Sequence, residues 1–376
     1  MVNIMTEKII RSSKPFFPKE DINNILSDLG VVLEEGRLRN GKNLNMFENM
    51  VTNYLGIKHG IALDSDSSAL ETALHYYNVK NREVIVCTNS FISIPNSVLY
   101  AGGKVVFADI RKETLSMNPN DLTKKISKKT RGIIVTHIAG FPNPDLKEIQ
   151  EICQKNSLFL IEDATHAMGA TIGAQKVGTF GDAAVFAFTP TKVLTTGEGG
   201  MLVTNDSDLA NYARLYSYYG SGPGKTNFEN LGRHMMMPEI SAILGIYQLK
   251  RIEEFIAKRN QIASIYDAAF DQTGYFSTVK CPSGSRSSYY KYPLILGPKI
   301  DKAAFVKSLN NSAIETGSVF YPPCHMQPVY RKQKGKGLPL PIAEETLART
   351  ITLPMHLALS DLDVSKVVKN VQLALS

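Results

Sequence analysis

The stretch "FAFTPTKVLTTGEGG" at residues 186–200 places one lysine, Lys192, between an apolar run and a series of threonines and glycines. The apolar run, "AAVFAF" at residues 183–188, has no polar alternation, which is typical of a strand buried on both faces. Ligands of open α/β sheets bind where strands end, so Lys192 is predicted to lie at a ligand-binding edge. A desolvated lysine there can attack a carbonyl group, although Lys192 alone also fits a surface side chain.

Six further runs share this continuous apolar character and alternate with helical stretches. They are "HGIAL" (59–63), "EVIVC" (83–87), "KVVFA" (104–108), "RGIIVT" (131–136), "LFLIED" (158–163) and "GMLVTN" (200–205). Strands of a parallel sheet read this way because helices cover both faces. The seven runs therefore predict an α/β fold with a mainly parallel seven-stranded sheet sandwiched by helices.

The second half of the chain has a different pattern of predicted helices and strands. One long helix is predicted over residues 238–270, and Pro238 can begin it because first-turn N–H groups lack an intrahelical acceptor. Beyond it, isolated strand and helix signals indicate a smaller α+β domain. We predict a large α/β domain with an N-terminal arm over residues 1–250 and a small C-terminal α+β domain over residues 251–376.

The composition is that of a globular protein large enough to bury a core, with 376 residues, 43% of them hydrophobic and 20% charged. No apolar run approaches the roughly 18 residues that a membrane-spanning helix needs. The start, "MVNIMTEKIIRSSKPFF" (1–17), lacks the apolar core and cleavage site of a signal peptide. We therefore expect a cytoplasmic protein without a membrane partner.

Metal and nucleic-acid binding find no support in the sequence. The four cysteines lie far apart with no C-x-x-C pair, which indicates neither a zinc site nor a disulfide framework. The net charge is +7, but the densest basic stretch, "KQKGKG" (332–337), has no interleaved aromatic residues. The excess of Lys and Arg also suits a phosphate-bearing small substrate.

Two polar residues follow the fifth of the seven runs. Asp163 ends "LFLIED" and His166 follows in "DATHAMGA". Asp163 alone would fit a helix cap. Together with Lys192 and "TTGEGG", however, it matches the needs of pyridoxal phosphate, which requires a lysine for a Schiff base and a carboxylate that keeps the ring nitrogen protonated.

The chain resembles the DegT/DnrJ/EryC1/StrS aminotransferases, which are sugar aminotransferases of the aspartate aminotransferase-like fold type I. The matching stretches cover nearly the whole chain. They are "NMFENMVTNYLGIKHGIAL" (45–63), "NSFISIPNSVLYAGGKVVFADI" (89–110), "IEDATHAMGA" (161–170), "GDAAVFAFTPTKVLTTGEGGMLVTND" (181–206), "MPEISAILGIYQLKRI" (237–252) and "FYPPCHMQPVY" (320–330).

This resemblance implies a role for each residue around the cofactor ring. Lys192 would form the Schiff base with pyridoxal 5'-phosphate and move the proton at the reactive carbon. Asp163 would pair with the pyridine nitrogen, and His166 would lie beside the ring near its oxygen. Phe91 would stack on the ring, although a core position also fits this residue.

The resemblance also places the cofactor phosphate at the loop formed by Ser65, Asp66 and Ser67, whose backbone N–H groups begin a helix. These serines also fit a plain N-cap cluster. The family usually has Ser-Gly-Thr here, and the added carboxylate of Asp66 should weaken a site for a dianion because like charges repel.

Three other positions depart from the family pattern. Ala187 replaces a serine, and "GRHMMM" (232–237) replaces G-x-N-x-R-M, so that His234 stands for an asparagine and Met236 for an arginine. In the family the serine and the asparagine bind the phosphate, the asparagine from the neighbouring subunit. A protonated His234 would offset part of the loss, and the missing arginine changes the expected substrate contacts.

The resemblance implies a ping-pong transaminase that works as a homodimer with shared active sites. An amino acid, glutamate in our expectation, converts the cofactor to pyridoxamine 5'-phosphate. The amino group then passes to a keto-sugar, expected to be nucleotide-linked, in the biosynthesis of amino sugars and polysaccharides. The lysine at 192 argues against the related sugar 3-dehydratases, which have histidine there.

Two alternatives remain at this point. The enzyme could transfer the amino group to a non-sugar ketone or aldehyde, since the family arginine is missing at Met236. The chain could also be a non-catalytic regulatory or scaffold protein whose phosphate site has decayed. Retention of Lys192, Asp163, His166 and Phe91 favours the enzyme.

Overall fold

The structure is a computed structural model that describes residues 8–222, 226–228, 230–271, 273–331 and 338–375. The basic stretch at 332–337 lies outside the described residues. The helices are α1 Lys19–Glu35, α2 Lys42–Leu55, α3 Asp66–Tyr76, α4 Ser93–Tyr100, α5 Pro119–Lys125, α6 Leu146–Lys155, α7 Ser207–Tyr216, α8 Glu239–Lys250, α9 Ile252–Phe270, α10 Lys302–Asn311, α11 Pro328–Arg331, α12 Pro341–Ala348 and α13 Asp361–Leu373. The strands are β1 His59–Leu63, β2 Glu83–Cys87, β3 Lys104–Ala108, β4 Thr130–Thr136, β5 Phe159–Asp163, β6 Thr171–Ile172, β7 Gln175–Lys176, β8 Ala183–Ala187, β9 Gly200–Thr204, β10 Phe276–Thr278, β11 Ser285–Arg286, β12 Tyr292–Leu296 and β13 Thr350–Leu353.

The central sheet contains all seven expected strands, in the order β1-β9-β8-β5-β4-β2-β3. Among the described strands of this sheet, β9 alone runs antiparallel to its neighbours β1 and β8. The pairs from β8 through β5, β4 and β2 to β3 are parallel. The expected mainly parallel α/β fold is therefore confirmed, and the strands β2, β4, β5 and β8 end at one side of the sheet, which we call the carboxyl edge.

Burial explains the lack of polar alternation in these strands. Every residue of β5, β8 and β9 is buried. Packing leaves no room for a side chain at Gly132 of β4, because a Cβ built there would lie 2.2 Å from the ring of Phe159 in β5. Close packing of this kind fixes the position of each strand relative to its neighbours, and therefore the positions of the residues that follow the strands.

The single helix expected over residues 238–270 is wrong, because two helices meet at Arg251. Its backbone leaves helical geometry at φ −103° and ψ 1°. Its guanidinium donates to both carboxylate oxygens of Asp21 in α1, each at 2.9 Å. No glycine or proline marks the break, and a long-range ion pair lies at the residue where α8 ends.

The second half builds a separate antiparallel sheet of order β10-β12-β13. The N-terminal segment reaches this half: Ile10 N donates to Ala313 O at 2.8 Å, and Glu315 N donates to Ile10 O at 2.9 Å. Ser12 N donates to a carboxylate oxygen of Glu315 at 2.8 Å. The N-terminal segment is therefore hydrogen-bonded to the second half of the chain. The division into two domains after Lys250 stays a prediction.

In the described part of the chain, no helix combines the length and the apolar character that crossing a membrane requires. All four cysteines are free thiols, and no cluster of metal-binding side chains occurs among the described residues. Burial raises the pKa of Cys87 to about 12 and that of Cys324 to about 11, which favours their inert thiol form at neutral pH.

Candidate active site at the carboxyl edge of the sheet

Asp163 is the last residue of β5 and is buried at the carboxyl edge. One carboxylate oxygen accepts from Thr136 Oγ1 at 3.0 Å, and the other accepts from Thr165 N at 3.2 Å. No cationic side chain of the described residues forms an ion pair with it. A buried carboxylate without a cation is costly, so this geometry suits a ligand that brings an N⁺–H group.

Lys192 lies in the turn that follows β8, where its backbone N–H donates to Thr189 O at 3.1 Å. Its Nζ is 4.8 Å from the ring centre of Tyr290. Burial raises the pKa of the Asp66 carboxyl, and the nearby charge of Lys192 offsets part of this rise. The structure thus brings the expected lysine to the same edge as the expected carboxylate.

His166 is buried beside these residues and is held as a neutral ring. Its Nδ1 accepts from Ala139 N at 3.1 Å, so the proton of the neutral ring belongs on Nε2. Burial, and then the charges of Lys192 and Lys291, keep the pKa of His166 well below its ordinary value. His166 is therefore a fixed donor through Nε2 at neutral pH.

Phe91 is not a core residue, because 53% of its surface is exposed. Its ring centre lies 5.7 Å from that of Phe320, which in turn lies 5.4 Å from the ring of His166. Phe91 and Phe320 also line a cavity of about 270 Å³. The core alternative is wrong, and Phe91 is available to stack on a flat ligand.

The residues expected to hold a phosphate begin helix α3. Ser65 is its N-cap, and the Ser65 hydroxyl accepts from Ser68 N at 3.1 Å. A Cβ at Gly200 would lie 2.2 Å from Asp66 N, so only glycine allows β9 to begin against this helix. Ser67 follows at the partly buried first turn, where backbone N–H groups suit an anion.

Asp66 itself is the element of this loop that opposes an anion. Its carboxylate accepts weakly from Ser93 Oγ at 3.4 Å. Burial raises the pKa of Asp66, Lys192 lowers it, and Asp163 raises it further. A phosphate at the start of α3 would therefore share the space with a carboxyl group whose charge depends on pH.

Two other residues, Ala187 and His234, are expected near the cofactor phosphate, and the structure places them in different environments. Ala187 is buried at the end of β8, opposite Gly200, and offers no side-chain donor. His234 is exposed, and its ring centre lies 5.4 Å from that of Tyr219. Among the described residues, no hydrogen bond or ring contact joins His234 to Lys192.

Tyr290 and Lys291 complete the site and were missed in the sequence, where they belong to the run "YYKYPLIL" (289–296). The ring of Tyr290 lies 4.3 Å from that of His166, and its hydroxyl lies 3.1 Å from Thr191 Oγ1. Although burial acts upward, Lys192 and Lys291 lower the pKa of Tyr290. A lysine between aromatic residues at the start of a buried strand was the available signal.

Glu162 precedes Asp163 and points to the other face of β5, where it anchors the surrounding loops. It is fully buried and accepts from His137 Nε2 at 2.9 Å and from Gly178 N at 2.9 Å. Its other oxygen accepts from Phe180 N at 2.6 Å and Gly181 N at 2.8 Å. Glu162 thus supports the site without belonging to it.

The Glu162→Ala variant is expected to lose about 3 kcal/mol of unfolding free energy, because four hydrogen-bond donors lose an acceptor that is fully buried. Urea unfolding followed by circular dichroism measures the loss. The matched control is Glu148→Ala on the exposed side of α6, which should stay within about 0.5 kcal/mol of the wild type. Equal midpoints for both variants would contradict the anchoring role.

Comparison with known proteins points in one direction. A family model described as the DegT/DnrJ/EryC1/StrS aminotransferase family matches residues 19–372. The spore coat polysaccharide biosynthesis protein SpsC of Bacillus subtilis is 32% identical over 96% of this chain and 95% of its own. The UDP-4-amino-4,6-dideoxy-N-acetyl-beta-L-altrosamine transaminase of Campylobacter jejuni is 30% identical over 88% of this chain and 89% of its own.

Solved structures agree with the sequence relatives. PseC of Helicobacter pylori, an aminotransferase involved in the biosynthesis of pseudoaminic acid, superposes with a TM-score of 0.91. It is 29% identical, and the match covers 98% of this chain and 99% of that one.

Proposed function

Since this chain belongs to the DegT/DnrJ/EryC1/StrS aminotransferase family and is a pyridoxal phosphate-dependent transaminase, we propose that it transfers an amino group from glutamate to a nucleotide-linked keto-sugar. The observation that carries the assignment of the site is the buried carboxylate of Asp163, which has no cation partner among the described residues and lies at the edge that Lys192 and His166 share. The relatives named for sugar transamination support the acceptor class.

The residues present fit the cofactor. Asp163 would pair with the ring nitrogen, Lys192 would bond to the aldehyde carbon, Phe91 would cover the ring, and the first turn of α3 would hold the phosphate. When bound, pyridoxal phosphate supplies a ring that accepts the electron pair released as the substrate loses its α-proton.

The chain's own residues supply the proton transfers and the positioning. Lys192 Nζ would take the α-proton of the amino donor and then deliver a proton to the former aldehyde carbon of the cofactor. Asp163, placed beside the ring nitrogen, would help to keep a proton on that nitrogen. His166 donates from Nε2 beside the ring, and its Nδ1 is fixed by Ala139 N.

The visible absorption spectrum tests this proposal. Protein purified with pyridoxal phosphate should show the band of the covalently held cofactor, and glutamate alone should bleach it. A nucleotide-linked keto-sugar should then restore the band. Restoration only by a simple ketone or aldehyde would support a non-sugar acceptor, and a folded protein without any band would support the non-catalytic alternative.

The Asp66→Gly variant restores the glycine usual in the family, and we expect it to bind pyridoxal phosphate about tenfold more tightly, since a carboxylate no longer repels the phosphate. Burial raises the pKa of Asp66, so the carboxyl is neutral at low pH. Wild-type affinity should fall as the pH rises through that pKa, and the variant should lack this fall.

Equilibrium titration of the visible band at several pH values measures both effects. Asp66→Asn is the matched control, because it removes the charge and keeps the size; it should behave like Asp66→Gly. If all three proteins bind the cofactor equally at every pH, Asp66 does not oppose the phosphate.

We also propose a homodimer with shared active sites. Support comes from His234, which stands at the family's intersubunit position and is exposed in a single chain. Light scattering of the purified protein tests the assembly. A monomer with full activity would exclude shared sites.

A further inference from the structure

Lys291 is a partly buried cation without a carboxylate. Its Nζ donates to the backbone oxygen of Ser318 at 2.6 Å. The ring centres of Tyr290 and Phe320 lie 5.6 Å and 5.7 Å from Nζ. No described carboxylate forms an ion pair with Lys291, so none of its three N–H donors has a charged acceptor.

The surroundings make this cation costly. Burial lowers the pKa of Lys291, the Tyr290 hydroxyl acts upward, and Lys192 lowers it again. A neutral residue would satisfy Ser318 O without this cost. An ammonium group held here is explained if an anion reaches it during the reaction.

The position of Lys291 limits the kind of anion. Lys192 and Lys291 both face the ring of Tyr290. In an amino acid the α-carboxylate is bonded to the carbon that carries the amino group, so it must lie close to Lys192 when that amino group reacts. The phosphates of a nucleotide-sugar are many bonds from the keto carbon and lie farther away.

On these grounds we propose that Lys291 binds the α-carboxylate of the amino donor and thereby selects α-amino acids. The inference rests on the proposed transaminase function. It accounts for a departure noted in the sequence: Met236 replaces the arginine that the family usually has, and Lys291 supplies a positive charge from within the same chain. Its backbone N–H donates to Ala139 O, which places Lys291 beside the loop that fixes His166.

The test measures binding of glutarate, a dicarboxylate without an amino group, to the cofactor-loaded enzyme by calorimetry. In Lys291→Gln the amide can still donate to Ser318 O but carries no charge. We expect at least a tenfold weaker affinity for glutarate, with the cofactor band unchanged. Lys291→Arg should restore affinity to within about threefold, and the neutral diamide of glutarate should not distinguish the three proteins.

Lys302→Gln is the matched control. Lys302 is also a partly buried lysine, but it donates to Ala348 O at 2.8 Å and Thr350 O at 2.9 Å, and its Nζ faces the ring of Tyr321 instead of that of Tyr290. This variant should bind glutarate as the wild type does. A purely structural role for Lys291 would lower the unfolding midpoint of Lys291→Gln without changing glutarate affinity.

Two failures are distinguishable. If wild type and Lys291→Gln bind glutarate equally, or if wild type does not bind it, the assignment of Lys291 is wrong even where glutamate still bleaches the cofactor band. If the wild type shows no band while glutarate binding depends on Lys291, the transaminase proposal fails and the carboxylate site stands.

Discussion

Replacing Lys192 with alanine is expected to slow multiple-turnover transamination by at least about a thousandfold. The variant loses both the amine that bonds to the cofactor and the base that moves the α-proton. Glutamate-dependent turnover under saturating substrates measures the loss.

Borohydride reduction provides the structural control for this prediction. In the wild type, reduction should fix the cofactor permanently on the peptide that contains residues 186–200. In Lys192→Ala no peptide should carry it, although the folded variant can still hold free cofactor. Labelling of a different lysine, or turnover within tenfold of the wild type, would show that Lys192 does not have this role.

The Asp163→Asn variant is expected to lower turnover by about a hundredfold or more, since the amide cannot keep the ring nitrogen protonated and the ring then accepts electrons poorly. The amide oxygen can still accept from Thr136 Oγ1, so the fold should persist. Steady-state kinetics, together with the visible band, separates lost chemistry from lost binding.

The control for this variant is Asp163→Glu, which keeps the charge but lengthens the side chain in a buried site. We expect Asp163→Glu to retain more activity than Asp163→Asn if the negative charge at this position matters more than the length of the side chain. If the amide variant turns over as fast as the wild type, the unpaired carboxylate has another purpose.

The sequence predicted the sheet well because its strands are buried on both faces and read as continuous apolar runs. It also predicted that Asp163 ends a strand and that Lys192 follows one, and the structure has Asp163 at the end of β5 and Lys192 after β8. It did not separate the roles of Glu162 and Asp163: neighbouring acids on one strand point to opposite faces, and only the packed loops show which one is the anchor.

Other features depend on contacts between distant parts of the chain. Tyr290 and Lys291 come about a hundred residues after Lys192, and no local pattern connects them to it. Arg251, where α8 ends, pairs with Asp21, more than two hundred residues earlier. Periodicity reports local preference, whereas these positions follow from tertiary structure.

The hydrogen bonds that join the N-terminal segment to the second half of the chain bear on the order of events during synthesis. Ser12 and its partner Glu315 are 303 residues apart, so the ribosome releases the first long before the second exists. The N-terminal segment cannot form these hydrogen bonds until most of the polypeptide has been synthesised. Docking of the N-terminal segment therefore requires that the chain has been synthesised at least as far as Glu315.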